Sequence, residues 1–99
     1  MFGLPDKTIK MINEIFSNYT GIEKVVIYGS RARGDYKNGS DIDLTIYGDI
    51  SDKDKNRISG LIYDLPIPYT CDISVFKNIK NKNLIEHIQQ VGQVFYLKP

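Results

Sequence analysis

The sequence predicts an α/β fold (α+β in its segregated form), a small mixed sheet of three to four strands covered by helices. Three observations carry that expectation. Apolar residues recur at helical spacing in three separate segments, short β-branched runs lie between them, and Gly, Pro and Asn punctuate the joints.

Pro5-Asp6 reads as a helix start, with Ile9, Ile12, Ile15, Phe16 and Tyr19 at helical spacing and Thr20-Gly21 ending the run. Val25–Tyr28 is too short and too β-branched for a helix and reads as a buried strand. A turn and loop with little helix follow from Gly29 to Ser40. Asp41–Tyr47 alternates cleanly, as a strand does, and Gly48-Asp49 breaks it. Ser51 to Asp54 resembles a capping box, opening a helix that would bury Ile58, Leu61, Ile62 and Leu65. Pro66 and Pro68 stop it, and Tyr69–Phe76 reads as a third strand. Asn81 or Asn83 caps a last helix through Gln90, with Leu84, Ile85, Ile88 and Val91 inward and Gly92 at its end. Val94–Leu97 adds a short edge strand.

Ninety-nine residues are expected to form one domain, 1–99. A formal charge of +1 argues against long nucleic acids as partners, because backbone phosphates are held by clustered Lys and Arg. Cys71 is the only cysteine, so neither an intramolecular disulfide nor a cysteine-based zinc site can form. The sequence shows no signal-peptide pattern and no apolar run of membrane-spanning length, so a cytoplasmic location is expected.

Topology brings the acidic residues together. A loop of about twelve residues joins the first two strands, so antiparallel pairing is the simplest arrangement. Ser30 then lies beside Asp41. The second and third strands are joined through a helix, which favours a parallel crossover and brings Asp72 to the same sheet edge. Alternate residues of a strand share a face, so Asp41 and Asp43 would lie side by side while Ile42, Leu44 and Ile46 face a core.

Two carboxylates about 5 Å apart repel by roughly 3 kcal/mol at an effective dielectric near 20. Three such groups stay ionised only with a cation beside them; otherwise one takes up a proton. Magnesium suits the set, since it binds through one or two carboxylates together with phosphates and water. Two ions there could clamp both oxygens of an in-line displacement. Gly29 permits close backbone approach to a phosphate, and Ser30 offers a hydroxyl and an N–H. Arg31 and Arg33 are placed to neutralise a polyphosphate, or else are solvated loop charges. Asp72 is the candidate base for an acceptor hydroxyl, or a ligand of a second metal.

Gly29-Ser30, followed after ten residues by Asp41-Ile42-Asp43, resembles the signature of the polymerase-beta-like nucleotidyltransferase superfamily. The longer run, GSRARG with SDIDL behind it, looks like the smallest branch, the minimal nucleotidyltransferases. Cys71-Asp72-Ile73 and the closing Ile-x-x-x-Gly-x-x-Phe-Tyr from Ile88 to Tyr96 extend the likeness over nearly the whole chain. The resemblance implies a nucleotidyltransferase-like fold and a magnesium-dependent transfer of AMP from ATP to a hydroxyl. By that pattern Asp41, Asp43 and Asp72 are the catalytic and metal-binding residues, two Mg²⁺ are implied, and Gly29 and Ser30 hold the triphosphate. Arg33 matches the arginine after the turn. Larger relatives carry a further domain for the acceptor, so here a partner is expected to supply it in trans. Members of the branch commonly act as antitoxins of HEPN toxins, and the implied acceptor is a partner tyrosine in a hetero-oligomer. The alternative is a catalytically idle module that neutralises its partner by contact; transfer to a small molecule or nucleic-acid end is a third reading.

Blander roles are expected elsewhere. His87, the only histidine, reads as a surface or packing residue of the last helix. Cys71 should point inward as a small apolar side chain. Phe95-Tyr96 reads equally as partner surface or edge-strand packing.

Overall fold

The computed structural model describes all residues 1–99. Its elements are α1 (Asp6–Phe16), β1 (Ile22–Tyr28), α2 (Ser30–Arg33), β2 (Ile42–Gly48), α3 (Asp52–Tyr63), β3 (Cys71–Val75), α4 (Lys82–Val91) and β4 (Gln93–Leu97), with a 3₁₀ turn at Phe76–Asn78. The four strands form one mixed sheet in the order β3-β2-β1-β4. β1 pairs antiparallel with β2 and with β4, and β2 pairs parallel with β3. The expected pairings of the first three strands are all present.

The two faces of β1 serve different layers. Val25 and Ile27 join Ile42, Leu44, Ile46, Ile73, Val75 and Phe95 in the main core, against Ile12 and Phe16 of α1 and Ile58 and Ile62 of α3. Val26 and Tyr28 point the other way and pack with Ile88 of α4. This alternation follows from the two-residue period of a strand, and it explains why β1 is apolar on both sides.

Caps and tight approaches set the ends. Ser51 Oγ accepts from the N–H of Asp54 at 3.1 Å and starts α3, while Asn81 does the same for α4 through Leu84 N–H at 3.1 Å. Gly92 ends α4 in an extended conformation, φ −62°, rather than the left-handed one common at helix ends. Its small size matters instead, because a Cβ there would lie 2.6 Å from Val26 Cγ1 where the chain turns back into β4.

Several expectations need correction. β1 starts three residues earlier than the β-branched run, and β3 is trimmed to Cys71–Val75, with Phe76 opening the 3₁₀ turn that follows it. α1 stops at Phe16, short of Tyr19. Leu61 is 44% exposed, on the outer side of α3, so only Ile58 and Ile62 of that helix are buried. Ile85 is only half-buried. Phe95 is buried, with its ring 6.0 Å from Phe2, and Tyr96 lies 5.7 Å from Phe16, so this pair is edge-strand packing.

Candidate active site

β1 ends at Tyr28, and the chain reverses through Gly29 into the single helical turn α2, where the sequence predicted only loop. Gly29 has φ +75° and ψ −155°, a conformation essentially reserved for glycine. The space is as restrictive as the backbone: a Cβ on Gly29 would sit 2.5 Å from Asp43 Oδ2. The glycine turn and the Asp43 carboxylate are therefore in intimate contact.

Strand register builds the rest. Asp43 stands opposite Tyr28 of β1 and opposite Asp72 of β3, giving the row Tyr28, Asp43, Asp72 across the sheet end. The row behind it is Val26, Thr45 and Ser74, where Ser74 Oγ donates to Thr45 Oγ1 at 2.9 Å. Asp41 precedes β2 rather than starting it, and it is exposed, as is Asp72. Asp43 is the half-buried member.

Burial raises the Asp43 carboxyl above its ordinary value of 3.8, and the charges of Asp72 and then Asp41 add to the rise. Tyr28 is likewise raised, first by burial, with a Ser74 hydrogen bond opposing and Asp43 and Asp72 adding to it, so its phenol stays protonated at neutral pH. Cys71 is pushed up to about 11, chiefly by burial and then by Asp41. The expected role of Cys71 as an inward, small apolar side chain fits that environment.

No three His, Cys, Asp or Glu side chains are grouped closely enough to cage an ion on their own. Asp41, Asp43 and Asp72 thus share an edge, and Asp43 feels the charges of the other two, without the three forming a preassembled cage. Hard carboxylate oxygens held together at a half-open edge fit magnesium all the same, because that ion needs only one or two carboxylates when phosphates and water complete its shell.

The two arginines separate. Arg31 is buried, 3% exposed; its Nε donates to Ser40 O and its Nη1 to Phe2 O, each at 3.0 Å. Its guanidinium also lies 5.1 Å from the rings of Tyr36 and of Tyr69. Arg31 ties the N-terminal segment to the loop; it is neither free to grip a polyphosphate nor a solvated loop charge, which corrects both of its expected roles. Arg33 is exposed and pairs with Asp35 at 3.3 Å, a weak surface contact that a phosphate could replace. Replacing Arg31 with lysine should cost about 1–2 kcal/mol of stability, since an ammonium cannot span both carbonyls and both rings. Mg-ATP affinity should change less than about threefold; a loss of affinity without a fall in melting temperature would return Arg31 to the phosphates.

His87 enters the site unannounced. Its Nε2 accepts the N–H of Gly29 at 3.2 Å, and its ring meets Tyr28 edge-on at 6.2 Å. The signal lay in the spacing Leu84, His87, Ile88, Val91, which places the histidine on the inward stripe of α4. Tyr28 was legible only as a strand residue, since its place beside Asp43 depends on register.

A mixed sheet with a Gly-Ser turn and an Asp-x-Asp strand meeting at one end defines a nucleotidyltransferase. The chain belongs to the polymerase beta nucleotidyltransferase family, whose profile matches residues 10–99. It is 49% identical over 100 residues to MJ0604 of Methanocaldococcus jannaschii, provisionally named a protein adenylyltransferase, covering 92% of this chain and 97% of that one. The fold is similar to a crystal structure of a toxin-antitoxin with AMP-PNP (TM-score 0.72, 13% identity, 96% of this chain and 75% of that chain). It is also similar to a structure of the tri-AMPylated Shewanella oneidensis HEPN toxin in complex with MNT antitoxin (TM-score 0.68, 10% identity, 93% and 71%). No helix is long and apolar enough to cross a membrane.

Proposed function

We propose that this nucleotidyltransferase moves AMP from ATP to a tyrosine hydroxyl of a HEPN toxin, and that it acts in the cytoplasm as that toxin's antitoxin. The observation that carries the reading is Asp43, half-buried against the glycine turn, in register with Asp72 and under the charge of Asp41. A pure contact module has no physical need for carboxylates that repel one another. The protein-adenylyltransferase name of the M. jannaschii relative and the AMPylated toxin in a structural neighbour support the choice of acceptor.

In this reading Asp41 and Asp43, completed by Asp72, would hold magnesium, which when bound offsets their repulsion and the charge of the triphosphate. Ser30 holds the triphosphate where Gly29 lets the phosphate approach the backbone closely, and Arg33 exchanges Asp35 for a phosphate oxygen. The acceptor oxygen attacks the α-phosphorus in line; a P–O bond forms as the bond to the bridging oxygen breaks, and pyrophosphate leaves with that electron pair. Asp72, exposed at the edge, takes the hydroxyl proton.

The test mixes the protein with Mg²⁺, ATP labelled on the α-phosphate, and a HEPN protein from the same genome. Label is expected on a tyrosine of the partner, and Mg-ATP alone should raise the melting temperature, by about 2.7 kcal/mol of stabilisation at a hundred times Kd. Label that appears without any protein acceptor would point to a small-molecule or nucleic-acid end. Full neutralisation of the toxin by Asp43→Asn would leave only the contact module.

A further inference from the structure

We infer that His87 is a positioning residue for the nucleotide site, holding the Gly29 peptide in the orientation that the triphosphate requires. The inference rests on the proposed reading that the Gly29-Ser30 turn receives the triphosphate. Gly29 is held from two sides: the Asp43 carboxylate occupies the space where a side chain would begin, and His87 Nε2 takes the backbone N–H at 3.2 Å. The imidazole must accept at Nε2 to make that bond, so its own proton sits on Nδ1.

The ring's placement is itself fixed. Its neighbour Ile88 is 2% exposed and packs with Val26 and Tyr28, so α4 is seated on β1 one residue from the histidine. The edge-on contact with Tyr28, at 82° between ring planes, limits rotation of the imidazole. β1 therefore reaches Gly29 by two routes, directly through the chain and back through α4. Because His87 takes the Gly29 N–H, the donors left for a phosphate in this turn are those of Ser30, its N–H and hydroxyl. The Gly29 carbonyl accepts from Arg33 N–H at 3.1 Å, so His87 is the hydrogen-bond restraint on the N–H side of the turn, and losing it frees that peptide to rotate.

Three variants separate this role from packing. His87→Gln keeps an acceptor near the Nε2 position, His87→Phe keeps the ring without an acceptor, and His87→Ala removes both. Steady-state transfer should show KM for Mg-ATP raised about tenfold or more in the Phe and Ala variants, with kcat changed less than about threefold, and with Gln returning KM to within about threefold of wild type. Equal KM values for Gln and Phe, normal or impaired, would overturn the inference and leave a packing residue. A second readout needs no nucleotide: the Gly29 amide should exchange hydrogen slowly in the wild type and Gln variant and faster in the Phe variant, and the imidazole ¹⁵N shifts should mark Nε2 as unprotonated. If that contact is present while the wild type neither binds nor uses Mg-ATP, the proposed function fails; if the contact is absent, the inference about His87 fails whatever the nucleotide result.

Discussion

Replacing Asp43 with asparagine is expected to lower nucleotidyl transfer by at least about 100-fold and, in metal-free protein, to raise the melting temperature. The first effect follows from removing the carboxylate that the glycine turn closes around. The second follows from electrostatics. Burial, Asp72 and Asp41 raise the Asp43 carboxyl above 3.8, so the folded protein binds this proton more tightly than the unfolded chain does. A group of that kind favours folding below its unfolded value and loses the advantage as pH rises through the folded value. At neutral pH the ionised carboxylate is a net burden on the fold, and asparagine removes it. Scanning calorimetry with chelator present should show the variant melting higher at pH 7, the gap narrowing as pH falls towards 4. Added Mg-ATP should reverse the order, stabilising the wild type more. Equal melting temperatures at pH 7, or transfer within a few-fold of wild type, would remove Asp43 from the centre of the site.

Gly29→Ala is expected to impair both folding and transfer. Its backbone conformation costs a residue with a side chain on the order of 1–3 kcal/mol, and a 99-residue protein loses about 4–8 °C in melting temperature per kcal/mol. The added Cβ also pushes into Asp43 Oδ2, so the carboxylate must move or the turn must open. Transfer should fall more than about tenfold at a temperature where the variant remains folded. Gly39→Ala is the control: φ is +83° there too, but no atom lies within 4 Å of the added Cβ, so stability should fall with activity retained. Two variants with the same activity loss would mean that backbone strain, not displacement of Asp43, is responsible.

The three longer helices, the four strands and the acidic edge were legible in the sequence because they rest on local signals, whereas the single turn α2 was read as loop. Periodicity marked α1, α3 and α4, the caps at Ser51 and Asn81 marked where the last two begin, and the Gly-Ser turn with its downstream Asp-x-Asp marked the site. Connection lengths even ordered the first three strands correctly. The errors have local causes as well. Leu61 fits the helical stripe yet stays exposed on α3, where only Ile58 and Ile62 reach the core, and Arg31 looks like a free loop cation until Ser40, Phe2 and two tyrosines surround it.

The chain's order of residues alone determined the class of fold, the family and which carboxylates lie at the end of β2. Tertiary structure decided which of them is half-buried, that Tyr28 and Asp72 flank Asp43, and that a histidine 58 residues from the glycine turn accepts its amide hydrogen. The reason is physical. Periodicity, caps and turns are written in neighbouring residues, whereas register, burial and the approach of one element to another emerge only once distant segments share a core.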